Sequence, residues 1–289
     1  MTNPTRRTVA RLARLAVVPA AAVLVPAALV LAAPGAGGAL PAARPVHGAL
    51  ISVAGHGISG KTSTSNNWSG YDEGFLDNDT TFDAISAEWT VPTATQHTPG
   101  QAESSATWIG IGGGCVDSGC TVTDNTLIQA GTEQDVAADG TASYSAWWEI
   151  VPVPSIASSI TVHPGDLISC SIAQTVPEVW AITLKDVTDN QSFTETVPYA
   201  SSYLTAEWIL ETPLEIGTSG TGISALPNLS TTHFSDATVN GKGAALVPSE
   251  AVQLIDANGN PLATPSAPNT AANGFDDCAY ATTCAAPTS

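Results

Sequence analysis

Leu127-Ile128-Gln129-Ala130-Gly131 and Tyr144-Ser145-Ala146-Trp147-Trp148-Glu149, with Ala138-Asp139-Gly140 between them, decide the fold class. Both runs are rich in apolar, β-branched and aromatic residues, and an Asp-Gly turn separates them, which predicts an antiparallel hairpin. A hairpin centred on Asp139 sets Gln129 opposite Glu149. Side chains alternate along a strand, so Leu127, Gln129 and Glu133 share a face with Trp147 and Glu149.

The same pattern extends in both directions. Phe82 to Val91 alternates, with Ile85, Ala87, Trp89 and Val91 on one face. Short runs follow at Ile160 to Val162, Leu167 to Ala173, Val179 to Val187 and Ala206 to Leu210, bounded by Gly, Pro, Asn and Asp. Asn258-Gly259 marks a second tight turn inside Leu254 to Thr264. No stretch holds a helical period over three turns. Many short strands without helices predict an all-β fold, a β-sandwich of two large stacked antiparallel sheets.

Composition narrows the function. The 289 residues carry 26 acidic against 8 basic side chains, a formal net charge of −18. That excludes a nucleic-acid binder, which needs a basic face. Seven Trp and 43% hydrophobic residues exclude a disordered chain. No Arg follows Arg44, and beyond it only Lys61, Lys185 and Lys242 oppose the acids. Acid unfolds proteins by leaving their cations to repel one another. A chain with so few cations tolerates low pH, which points to an acidic workplace.

Residues 1–33 read as a secretory signal peptide: Arg6, Arg7, Arg11 and Arg14 precede an apolar run from Leu15 to Leu31 that Pro19 and Pro26 interrupt. Sec and twin-arginine export both remain open. The protein is expected to be secreted and extracellular, monomeric, and free of the membrane once the signal is removed. Residues 34–65, rich in Gly, Ala, Pro and Ser and devoid of acids, read as a pro-segment or linker. Such a cationic segment over an acidic domain would inhibit it until acid discharged the carboxylates; a plain spacer is the other reading. Residues 66–289 form one domain.

Five cysteines in an exported chain predict two short loops, Cys115–Cys120 and Cys278–Cys284, with Cys170 left over in an apolar strand. No Cys/His spacing suits a metal, so neither metal nor cofactor is expected. There is no Gly-x-Ser-x-Gly elbow. Asp117-Ser118-Gly119 occurs once, whereas an aspartic peptidase needs two such turns. The chemistry therefore falls to carboxylates on strands. Glu149 is one; Ala206-Glu207-Trp208-Ile209-Leu210-Glu211 adds Glu207 and Glu211, which share a face with Ile209. Apolar walls raise a carboxyl pKa and suit it to proton transfer in acid. The residues alone do not say which glutamate is the base.

Asn67-Trp68-Ser69-Gly70, Trp108-Ile109-Gly110-Ile111, the two hairpin segments and Ala206 to Glu211 occur in this order. Together they resemble the eqolisins, the glutamic peptidases of family G1, over about residues 66–262. The resemblance implies a concanavalin-like sandwich of the lectin and glucanase type. It also implies pepstatin-insensitive, metal-free cleavage of protein or peptide substrates in acid. The family's catalytic glutamine and glutamate fall on Gln129 and Glu211. Trp108, Trp147, Glu149, Glu133 and Trp68 would line the cleft. The chain departs from the family at Gly112, where an acid is usual, and at Ser145 and Val151. A carbohydrate-active enzyme or lectin-like binding protein on the same sandwich is the alternative.

Overall fold

The computed structural model describes residues 44–53, 63–217 and 220–288. The expected signal peptide lies outside them, as does most of the expected pro-segment.

The hairpin forms with the expected register. Ile128–Val136 pairs antiparallel with Ala142–Ile150, and Gln129 faces Glu149. Gly140 takes a positive φ of 86° at the turn, where glycine is unstrained. Glu103–Ile111 adds to the other edge, followed by Thr205–Glu211, Trp68–Gly74 and Ala251–Ile255. These strands make the first sheet. The second runs from Gln191–Pro198 through Val179–Asp186, Leu167–Val176, Ala84–Thr90 and Thr232–Val239 to Phe275–Ala279. Pro261–Pro265 pairs with a strand of each and joins them along one side. The result is an antiparallel β-sandwich.

Alternation sorts the side chains into two apolar bodies. Ile109, Ile111, Ile128, Ala130 and Trp208 point inward and meet Ile85, Ala87, Trp89, Ile168, Ile182 and Phe234 of the second sheet. Trp68, Ala106, Trp108, Trp147 and Ile209 form a separate cluster on the outer face of the first sheet. An outer sheet face is ordinarily polar; this one is apolar and studded with acids.

Both disulfides form as expected, and Cys170 is a buried thiol in its strand. The expected strand at Ile160 to Val162 does not form. Gln191 takes over its backbone, its side-chain oxygen accepting from the Thr161 N–H and its Nε2 donating to the Thr161 carbonyl. Ile160 and Val162 are buried all the same, so the apolar signal reported burial, not pairing. Ile156–Ala157 pairs there instead, opposite Trp148 and Trp147. A one-turn helix, Phe75–Asn78, and a 3-10 turn, Pro248–Glu250, are the helical pieces among the described residues.

The segment ahead of the domain is built into it. Arg44–Val46 pairs antiparallel with Leu214–Ile216, and Ser52–Val53 with Thr64–Ser65. Between these two anchors the chain crosses the outer face of the first sheet.

Candidate active site

Three neighbouring strands bring the site together. In the ladder, Glu211 aligns with Ala106, and Ala106 with Glu133. One step further along, Ile209 aligns with Trp108 and Trp108 with Gly131, which in turn faces Trp147. Gly131 explains the end of its motif: a Cβ there would lie 2.4 Å from the Trp108 Cβ, so only glycine lets that indole settle over the strand. The next row is Glu207, Gly110, Gln129 and Glu149.

Glu211 is fully buried. Its Oε2 accepts from the Trp108 indole N–H at 2.8 Å. Trp68 meets Trp108 edge-on, with ring centroids 4.9 Å apart. Gln129 is also fully buried, and its Nε2 donates to Glu149 Oε2 at 3.3 Å. Burial pushes the Glu149 carboxyl up to about 8, outweighing the nearby His47, while the Glu211 charge adds to the rise. In acid, Glu149 is therefore a neutral partner that orients the amide of Gln129.

The expected cleft residues Trp68, Trp108, Trp147, Glu133 and Glu149 all lie on this face. His47, within the expected pro-segment or linker, lies in their midst. Its ring stacks flat on Trp147, with centroids 3.7 Å apart and planes 4° apart. Nε2 lies 3.0 Å from Glu133 Oε2, and Nδ1 lies 3.2 Å from Glu211 Oε2. Burial alone would depress this imidazole, but Glu133 and Glu211 outweigh it and push its pKa up to about 10. The one visible signal for His47 was its place in a segment without acids.

The backbone around His47 is held like a bound peptide. The Gly48 N–H donates to Glu211 Oε1 at 3.3 Å, and the Trp68 indole N–H donates to the Gly48 carbonyl at 3.1 Å. Asn67 donates to the Ala49 carbonyl and accepts from the Ile51 N–H. The His47 N–H faces Glu149. These contacts span five residues, His47 to Ile51, and involve mostly backbone atoms, as recognition of an extended chain requires.

Gly112, where the family pattern has an acid, has a φ of 92°, and a Cβ would lie 2.0 Å from the Thr126 carbonyl oxygen. The loop leaves no room for a side chain there. Among the described residues one group has metal-ligand spacing, His163, Asp166 and Asp189. His163 and Asp189 are exposed, and the buried Asp166 accepts from the backbone N–H of His163.

Fold and site together define an acid-rich β-sandwich whose outer sheet face holds an extended peptide over a glutamate, a glutamine and three tryptophans. The sequence profile of the Peptidase A4 family matches residues 66–273, and the chain belongs to that family. It is 28% identical over 164 residues to aspergillopepsin-2 of Aspergillus niger, covering 55% of this chain; the chain spans about half, 54%, of that relative's length. Scytalido-glutamic peptidase, solved with a transition state analog inhibitor, is 24% identical and superposes with a TM-score of 0.57 over 74% of this chain and 98% of that one. SCP-B, an eqolisin solved with the tripeptide Ala-Ile-His, is 23% identical, with a TM-score of 0.54 over the same shares. These likenesses show the sandwich fold. The family expected from five ordered motifs is the one found.

Proposed function

We propose that the protein is a secreted, pepstatin-insensitive acid endopeptidase that activates water with Glu211 and Gln129. The observation that carries this reading is the chain's own segment, laid through the cleft with the Gly48 amide nitrogen on the Glu211 carboxylate. A cleft that grips backbone in this way suits a peptide bond.

Glu211, as carboxylate, takes a proton from water, and the water oxygen attacks the scissile carbonyl carbon. One N–H of Gln129 is held by Glu149; the other donates to the developing oxyanion, a contact worth about 3 kcal/mol. Glu211 then returns the proton to the amide nitrogen, the C–N bond breaks, and an acid and an amine leave. Trp108 keeps Glu211 in place through its indole N–H. Glu149, protonated in acid, adds no second negative charge beside the base.

A retaining glycosidase, the alternative, needs two carboxylates about 5 Å apart across a sugar. Its candidate second acid, Glu207, lies beside Asp72 and Asp124, whose charges add to the burial that keeps it neutral. Hydrolysis of denatured casein or haemoglobin across acidic pH, with pepstatin present, tests the proposal. Acid-dependent cleavage that ignores pepstatin and is lost in Glu211→Gln supports it; hydrolysis of polysaccharide instead of protein overturns it.

A further inference from the structure

Glu133 and Trp147 border a slot whose chemistry is shown by the side chain seated in it. Its floor is the Trp147 indole, on which the flat ring of His47 lies with centroids 3.7 Å apart. Its far wall is Glu133, whose Oε2 stands 3.0 Å from the ring Nε2. Glu133 Oε1 is buried and has no hydrogen-bond partner among the described residues. Across the ladder Glu133 faces Ser145, which is small and exposed, so no side chain on that strand competes for the carboxylate. Ser145 is also one of the positions at which the chain departs from the family pattern.

The backbone of the seated segment gives the slot its place on a substrate. The Gly48 N–H donates to Glu211 Oε1, and the proposed mechanism returns a proton from Glu211 to the amide nitrogen that leaves. The bond between His47 and Gly48 therefore lies where a substrate bond would be cut. The slot then receives the side chain on the acyl side of that bond.

We propose that Glu133 and Trp147 select substrates by the residue just before the cut, and that the favoured residue is arginine. The inference rests on the peptidase reading with Glu211 as the base. A guanidinium is flat, so it stacks on the indole. Its paired N–H groups match both oxygens of Glu133, including the one that imidazole leaves free. Histidine binds less usefully: its Nδ1 reaches to 3.2 Å from Glu211 Oε2 and covers an oxygen of the base. Lysine keeps a charge but has no plane to stack. Leucine forgoes the paired hydrogen bonds, and glutamate brings a like charge against Glu133.

The test uses quenched fluorescent peptides that differ only in the residue before the cut: arginine, lysine, histidine, leucine or glutamate. They are given to the full-length chain at the acidic pH at which it hydrolyses casein, and mass spectrometry verifies the bond broken. Arginine should exceed leucine in kcat/KM by about tenfold or more, the scale of hydrogen bonds to a charged group, with lysine between them. Histidine should lower both KM and kcat relative to leucine, because it binds and also covers the base. Glu133→Gln should bring the arginine-to-leucine ratio close to one, and Glu133→Asp should restore part of it. Equal rates for arginine and leucine, or a preference that survives in Glu133→Gln, overturn the inference while cleavage itself upholds the peptidase reading. Should the Glu133 variants fail to fold, the cut sites of wild type in denatured casein decide. Arginine before the cut at about fivefold or more over its abundance supports the slot; apolar residues in excess there, or arginine after the cut, overturn it. Absence of cleavage of every peptide at every pH makes the peptidase reading fail, and the selectivity falls with it.

Discussion

Glu207 and Glu211 stand four residues apart on one strand and point to the same face, yet the fold treats them oppositely. Glu211 accepts from the Trp108 indole and faces the cationic ring of His47. Glu207 is equally buried, but its neighbours are Asp72 and Asp124, and none of the ion pairs among the described residues reaches it. Burial first, and then the Asp72 charge, raises its pKa well above the ordinary value. Asp72 is pushed up to about 8 by burial, against the backbone N–H of Cys115 that it accepts from. One end of the strand thus holds a carboxyl set against a cation and an indole N–H, and the other a carboxyl kept neutral among acids. Identical side chains acquire different chemistry from what the neighbouring strands put beside them.

The comparison breaks most readily by removing the proposed proton acceptor. Glu211→Gln lowers kcat on a peptide substrate by about 10³-fold or more, the scale of a positioned general base. Glu207→Gln, which replaces a neutral acid by a neutral amide, leaves kcat within about twofold, because its site already favours the uncharged form. Equal losses in steady-state assays would show that both carboxyls act in the reaction.

The proposed oxyanion donor comes next. Gln129→Ala lowers kcat by about 10² to 10³ with a smaller change in KM, since the contact forms in the transition state. A rise in KM with kcat unchanged would show that Gln129 binds substrate instead.

Stability follows the neutral acids. Glu73 is pushed up to about 9, Glu149 and Asp72 to about 8, and Asp135 and Asp277 to about 7, with burial the first cause in each. An acid whose pKa is higher folded than unfolded binds more protons when folded. Its contribution is complete below the unfolded value of about 4 and is lost as pH rises through the folded one. Melting temperature therefore falls from about pH 4 to pH 9, and Asp72→Asn flattens that slope. A midpoint that rises over this range would refute the neutral-acid assignment.

The smallest effect sharpens the role of Glu149. Glu149→Ala frees the Gln129 amide and lowers kcat about tenfold, the equivalent of one lost hydrogen bond. Glu149→Gln, which keeps an acceptor for the amide, recovers most of that loss. A full loss of activity in both variants would make Glu149, not Glu211, the base.

Much of this was legible in the residues. The Gln129–Glu149 pairing followed from a local Asp-Gly turn, because a tight hairpin sets register by loop length alone. The two disulfides followed from short spacings in loop-like sequence. Gln129 and Glu211 emerged together only through resemblance to a family, since they lie on strands that do not pair with each other. Ile160 to Val162 misled because an apolar run reports burial, and the Gln191 side chain settled its hydrogen bonds from 30 residues away.

The sequence by itself determined the sandwich, its alternating faces, the main hairpin and a charge balance suited to acid. Those depend on neighbours along the chain and on composition. The tertiary structure alone decided that the Glu207 carboxyl is pushed well above its ordinary pKa, and that His47 lies against Glu211 from 164 residues away. Both are set by electrostatics between side chains that meet only after distant strands have packed, where burial removes water and a single neighbour reverses the preferred charge.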